Sequence, residues 1–463
     1  MRISIMGGLY RNFVKHIVYP LETMRIGSSA RRHLAELEVS QFLSPERIRQ
    51  LQIERLRRLL IHAYEHCPFY TERFDQHNFN PRKLQAIEDI QSLPITTKKD
   101  IQENKERMRA VNFPDEMLEP NKTGGSTGAP LYFYHDKERI FSREASTFRH
   151  NRWAGWDIGM KTAHLWGHRG DISGMKGIKA GLRNFLLERR LILDTSSITR
   201  DSLVQFKKEL RKFRPDIYIA YANSVFLFAR FLKETGSRDH HRPRAVITSA
   251  EVLESSQRAV IEDVFECPVF DRYGSRETSI IASECEKHTG LHICAETLLL
   301  EFIKEGRAAG PGEVGKTLIT DLLNFGMPFI RYQNEDTGST VAERCSCGRG
   351  LPLMKISGGR VTDFLMTPEG KLISGAALTI YLIANAPGVA QAQLIQENIN
   401  EVTFRIVKGE MFGAATLQFF EREIPKFFGP RVKYSIEYVE NIPQENSGKY
   451  RFSISKVDPR EMF

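Results

Sequence analysis

The residues best placed to do chemistry are Thr123-Gly124-Gly125-Ser126-Thr127-Gly128-Ala129-Pro130, where three glycines and three hydroxyl side chains fall within six positions. Glycine lets backbone N–H groups turn inward in conformations that other residues avoid. Converging N–H groups together with Ser and Thr hydroxyls make a cradle for a polyphosphate. The loop is not a Walker loop, because no Gly-Lys-Ser/Thr ends it and Ala129 stands where a lysine is expected. A flexible hairpin tip is the plain alternative.

A second constellation suits a metal. Cys285, followed by His288 and His292, is answered about sixty residues on by Cys345-Ser346-Cys347. Three thiolates and one imidazole complete a closed tetrahedral zinc site, structural because no position is left for water. The set read here is Cys285, His292, Cys345 and Cys347, with His288 as the alternative nitrogen. Such an ion would tie the segment to the core and couple metal to folding. Reduced cysteines without metal are the alternative.

The elements that must position these groups follow from periodicity. Leu34, Leu37, Val39 and Phe42, then Ile53, Leu56, Leu59, Leu60 and Ala63, recur at helical spacing, so residues 30–110 are predicted helical. Beyond the glycine loop, short β-rich runs (163–166, 191–193, 217–220, 245–248, 269–270) alternate with helical stretches (201–213, 255–265), which argues for α/β architecture with a parallel sheet. Strands are expected at 298–303, 314–320 and 329–332. A compact α+β unit follows, with helices at 376–386 and 414–428 and strands at 391–396, 401–407 and 433–439.

Further segments point the same way: Thr248-Ser249-Ala250-Glu251, Asp271-Arg272-Tyr273-Gly274-Ser275-Arg276-Glu277-Thr278, Met327 to Tyr332 leading to Asp336-Thr337-Gly338, Gly358-Gly359-Arg360-Val361-Thr362-Asp363, and Asn446-Ser447-Gly448-Lys449. In this order and spacing they resemble the adenylate-forming (acyl-CoA synthetase) superfamily, and within it the phenylacetate–CoA ligase family and its capsule-biosynthesis CapK-like branch. The resemblance covers nearly the whole chain. It implies a large α/β region with helices over 1–110, an adenylate-forming core at 111–357, a hinge at 358–363 and a small mobile α+β lid at 364–463.

The same resemblance implies that ATP activates a small carboxylic acid, aromatic acids included, as an acyl-adenylate with release of pyrophosphate. Coenzyme A, or an amine or hydroxyl group as in amide formation on a sugar acid for surface polysaccharide, then accepts the acyl group. The loop Thr123, Gly124, Gly125, Ser126, Thr127 and Gly128 would hold the β- and γ-phosphates, and Glu277 would help hold Mg²⁺. Tyr273 would lie along adenine, with Gly274, Ala250 and Glu251 lining the same pocket. Asp336 would accept hydrogen bonds from both ribose hydroxyls, and Arg360 would sit by ribose and phosphate. Lys449 would bridge carboxylate and α-phosphate, offsetting negative charge in the transition state. The chain departs from the family pattern at Ala129, Glu335 and Arg276. Nucleotidyl transfer of the deazaflavin-adenylylating kind, and a non-catalytic nucleotide binder, are the rival readings.

Composition narrows the class. The chain has 463 residues, 41% hydrophobic, 27% charged and six cysteines, with a formal net charge of +9. These values exclude a disordered chain and a disulfide scaffold. No apolar run reaches the roughly 18 residues of a membrane span; the longest, Ile217 to Leu232, reads as a buried helix. No nucleic-acid partner is expected. A cytoplasmic location is expected, peripheral to the inner membrane face as an option, and a homodimer is left open. Tyr10, Phe13, Ile17 and Leu21 form one apolar face of an N-terminal helix with basic groups on another, expected to pack on the body, with weak attachment to an anionic membrane surface as the alternative.

Overall fold

The computed structural model describes residues 2–123, 131–166, 178–237, 239–358, 360–442 and 450–457. Its N-terminal third is helical for local reasons. The helix Pro45–His66 starts at Ser44, whose hydroxyl accepts from Arg47 N, with Pro45 at its first position and Glu46 in its first turn. Its inner face of Ile48, Leu56, Leu59, Leu60 and Ala63 is buried. Leu56, Leu59, Leu60 and Ala63 share one core with Tyr70, Phe74, Phe329, Ile330 and Tyr332.

A sheet of twelve strands forms the centre. Half of it is parallel: Val269–Ser275, Ala245–Ser249, Ile217–Tyr221, Thr162–Trp166 and Arg190–Asp194 lie side by side in that order. Helices Arg200–Phe213, Ala222–Glu234 and Ser255–Phe265 provide crossovers. Ile217–Tyr221 is buried at every residue, as a strand covered on both faces should be. The single buried helix read over 217–232 is therefore corrected: the chain is extended through Tyr221 (ψ 138°) and becomes helical only at Ala222. The rest of the sheet is antiparallel and joined at Val269–Ser275, with Leu291–Ile293 paired to Leu353–Gly358 and not to the next strand in sequence, Leu298–Lys304. The strand expected at 329–332 begins only at Tyr332, because Arg331 takes a left-handed φ of 50°.

The C-terminal unit has its own five-stranded sheet. Arg360–Thr362, Tyr450–Ser455, Val389–Asn398, Glu401–Lys408 and Lys433–Tyr438 lie in that order, and Ala414–Phe428 packs Phe420, Ile424 and Phe428 on Phe404. The helix expected over 376–386 is shorter, Gly375–Tyr381, followed by a 3₁₀ turn at Ile383–Asn385. The hairpin Phe364–Met366/Leu372–Ser374 does not join this sheet. It pairs with Ser197–Ile198 of the large region, and Phe364, Met366 and Leu372 enter the core of Ile198 and Leu203.

One helix binds the large region together. Lys137–Trp153 is capped by Asp136, whose carboxylate accepts from Arg139 N at 2.7 Å and from Phe325 N and Gly326 N. Arg139, only 1% exposed, reaches from this helix to Asp321 (Nε to Oδ2, 2.6 Å) and to the Thr278 carbonyl (2.8 Å). Breaking a buried pair strands the remaining charge and costs about 3–5 kcal/mol. Arg139→Met is expected to lose that much stability, read as a lowered urea midpoint; a midpoint within error of the parent would refute the role.

Candidate active site

The candidate site lies at the carboxyl ends of the parallel strands, where the sheet changes from parallel to antiparallel. In open α/β sheets ligands bind outside the carboxyl ends of the strands. After Ala245–Ser249 the chain turns through Ala250, whose φ of 69° is left-handed, and Glu251 Oε2 accepts from Asn223 N at 2.9 Å. Thr248 donates to Asp271 at 2.8 Å, and burial pushes the Asp271 carboxyl up to about 6.

Tyr273 and Asp336 sit on strands with three others between them in the sheet order, so the sheet has to curl to bring them together. It does: Tyr273 Oη donates to Asp336 Oδ2 at 2.6 Å, and Asn334 Nδ2 donates to the same carboxylate oxygen at 3.0 Å. Burial and the Asp336 carboxylate hold the Tyr273 phenol well above its ordinary pKa, so it stays a donor. Tyr332 Oη donates to Glu277 Oε1 at 3.1 Å.

The backbone of Glu277 is fixed by a pair that sequence reasoning missed. His135 Nε2 donates to the Glu277 carbonyl at 2.6 Å, which leaves Nδ1 to accept from Arg143 Nη1 at 2.7 Å. Arg143 Nη2 also donates to the Arg276 carbonyl at 3.1 Å. Burial first, then the Arg143 charge, lowers the His135 pKa to about 2, so the imidazole is neutral. Burial also lowers the Arg143 pKa to about 10, leaving it a cation. His135 belongs to the strand Tyr132–Asp136, whereas Arg139 and Arg143 lie one turn apart on the helix Lys137–Trp153, so only the two arginines share a helix face.

His135 also connects Glu277 to the glycine loop. Leu118–Lys122 pairs with Tyr132–Asp136, and Thr123 closes the neck, its N donating to Leu131 O and its hydroxyl accepting from Leu131 N, both at 3.0 Å. Gly124, Gly125, Ser126, Thr127 and Gly128 lie outside the described residues, as does Lys449. The Arg360 backbone pairs with Tyr450, which joins the segment 358–363 to the strand that follows Lys449. Of the nucleotide residues expected from sequence, the structure thus brings Tyr273, Asp336 and Glu277 to one crevice rim, with Gly274 on the same strand as Tyr273.

The metal constellation is separate. Cys285, His292, Cys345 and Cys347 present donor atoms all within 4.8 Å of one another. Cys285 Sγ lies 3.6 Å from Cys345 Sγ, and Cys347 Sγ lies 3.4 Å from His292 Nε2. Tetrahedral zinc with bonds of about 2.3 Å holds sulfurs about 3.8 Å apart, so the donor set fits. His292 Nδ1 faces the Leu351 carbonyl at 3.3 Å, which turns Nε2 toward the thiols. His288, the alternative nitrogen, is not part of the cluster; its Nδ1 faces Glu284 at 3.2 Å.

Comparison with known proteins places this geometry. The fold is that of the adenylate-forming CoA ligases: 2-hydroxyisobutyryl-CoA ligase, crystallised in the postadenylation state, superposes with a TM-score of 0.59 at 18% identity, over 90% of this chain and 91% of that one. Within that class, residues 365–456 match the CapK C-terminal domain family. Protein CapK of Staphylococcus aureus is 23% identical over 434 residues, 88% of this chain and 89% of its own. The phenylacetate-coenzyme A ligase of Thermus thermophilus is 26% identical over 381 residues, 80% of this chain and 83% of its own. The likeness read from the sequence is borne out over most of the chain.

The buried histidines set a pH dependence. Burial lowers His135 from 6.5 to about 2 and His241 from 6.5 to about 4. A histidine depressed in the folded state contributes stability that is full above its unfolded value of 6.5 and is lost as pH falls toward the folded value. Asp271, raised from 3.8 to about 6, works in the opposite sense, its contribution lost as pH rises through 6. The urea midpoint is expected to fall from pH 7 to pH 5, and less steeply in His135→Asn. An equal slope in parent and variant would remove His135 as a buried neutral group.

Proposed function

We propose that the protein is an adenylate-forming ligase that activates a carboxylic acid with ATP, releases pyrophosphate and passes the acyl group to coenzyme A. The observation that carries this reading is the meeting of Tyr273, Asp336 and Glu277 at the carboxyl ends of the parallel strands. A carboxylate is a poor nucleophile toward an anionic phosphate, and such transfers are accelerated mainly by positioning and charge neutralisation.

The chain's own groups suit those tasks. Asp336, oriented by Tyr273 and Asn334, offers a carboxylate to ribose hydroxyls. Glu277, steadied by Tyr332 and through its backbone by His135, is the ligand for a magnesium ion, which when bound neutralises phosphate charge. Ala250 and Glu251 form the turn beside the adenine place, Arg360 stands at the start of the C-terminal unit, and Lys449 would supply the cation for the α-phosphate. Cys285, His292, Cys345 and Cys347 hold a structural zinc ion apart from this chemistry.

A second reading changes the acceptor. The C-terminal unit, which would control access to the acyl-adenylate, is the part that matches the CapK C-terminal domain. On this reading the acceptor is an amine or hydroxyl group, as in surface-polysaccharide synthesis, in place of coenzyme A. Both readings share the first half-reaction.

Exchange of labelled pyrophosphate into ATP, scanned over a panel of aliphatic, aromatic and sugar acids, tests the shared step. Activity with at least one acid is expected, and Lys449→Ala is expected to lower it by about 10²–10³-fold with ATP binding retained. Silence across the panel would refute adenylation. Consumption of coenzyme A with the active acid then decides between the acceptors. For the metal, elemental analysis is expected to find about one zinc per chain, with Cys345→Ser losing it and melting lower; a zinc-free, fully stable parent would refute the site.

A further inference from the structure

The N-terminal helix packs on the body with its expected inward face split. Residues Arg2–Arg25 run as one rod with a π-helical segment at Val14–Val18. Val14 and Tyr19 turn inward, sharing a core with Leu34, Leu37, Ala145 and Ile158. The inner side is also pinned by Asp157, which pairs with Lys15 at 2.6 Å and Arg11 at 3.4 Å. Gly159 approaches so closely that a Cβ there would meet Arg11 O at 2.8 Å.

The outer side is left apolar. Leu9, Phe13, Ile17, Leu21 and Met24, spaced four, four, four and three apart, are 48–71% exposed. The patch is widened by Phe185, 69% exposed, from a neighbouring helical segment whose ring lies 6.3 Å from Tyr10, itself 6.3 Å from Phe13. Soluble surfaces scatter such residues singly, and a contiguous set marks an interaction face.

Charge says what covers it. Segments 2–33 and 178–190, which carry this ridge, contain ten Lys and Arg against two Glu; Arg11 and Lys15 turn inward to Asp157, while Arg25, Arg32 and Arg183, each more than half exposed beside Glu22 or Glu138, lie at the surface. Two copies meeting face to face would oppose like charges, since a two-fold contact matches a patch with itself. An apolar helix face rimmed by basic groups is complementary to an anionic lipid surface. No helix among the described residues is long and apolar enough to cross a membrane, so the ridge would lie in the interface plane. We propose that the outer face of the N-terminal helix, centred on Phe13, Ile17 and Leu21, docks the protein on an anionic phospholipid bilayer. This surface is independent of the adenylation site.

The test is cosedimentation of the full chain with vesicles of phosphatidylcholine alone or with about one third phosphatidylglycerol. Binding to the anionic vesicles only, weakened by added salt, is expected. The double variant Phe13→Glu/Leu21→Glu is expected to bind at least about tenfold more weakly with unchanged melting temperature, because both side chains are exposed. Arg31→Glu/Arg32→Glu, with the apolar ridge intact, is expected to lose the preference for anionic vesicles. Absence of binding, equal binding to neutral vesicles, or undiminished binding by the first variant would overturn the proposal. So would a dimer in sedimentation velocity that the first variant converts to monomer while neither binds vesicles, which would assign the face to a second copy.

Discussion

A single buried guanidinium, that of Arg139, holds the large region to its site. Its partners come from three places in the chain: Asp321 at the end of an antiparallel strand, the carbonyl of Thr278 next to Glu277, and Ser142 in its own helix. Burying a charge is costly unless paired and hydrogen-bonded, and the planar fork of arginine can meet several acceptors at fixed angles. Because Asp136 caps the same helix and also holds the 325–326 turn, the hairpin under the glycine loop and the corner bearing Glu277 are fixed relative to each other. Nothing in the crevice could keep its spacing if this cation were lost.

The electrostatics of that corner have a clear sense. Arg143 is a buried cation whose recorded bonds go to a neutral imidazole and a backbone carbonyl, whereas Arg139 is neutralised by Asp321. A guanidinium so placed leaves positive potential behind Glu277.

How much of this was legible in the sequence differs from element to element. The parallel strands were visible as short apolar runs such as 217–220 and 245–247, but such runs fit a buried helix as well, which is why 217–232 was also read as one. The Cys/His quartet was legible in its spacing, with His292 preferred, but the reason for that choice over His288 was not. It depends on His292 lying in the strand Leu291–Ile293, which turns its ring to the thiols, while His288 has a φ of 50° in the preceding turn. The pairing of His135 with Arg143 and of Arg139 with Asp321 escaped notice because apolar periodicity cannot register buried charge. The face expected inward on the N-terminal helix is split: Tyr10 packs against the core, but five π-helical residues shift the register, so Val14 and Tyr19 take the inside and Phe13, Ile17 and Leu21 stay outside.

The hairpin Phe364–Ser374 is tied in two directions. On one side Leu372 and Ile373 pair with Ile198 and Ser197; on the other, Asp363 takes bonds from Arg451, Ser453 and Ser455 of the C-terminal sheet. The first seam is two residues long. Any swing of the C-terminal unit that carries the hairpin with it must unzip that seam and lift Phe364, Met366 and Leu372 out of the large region's core. The swung form would then bare a greasy underside, and its lifetime would depend on whatever new surface receives those three side chains.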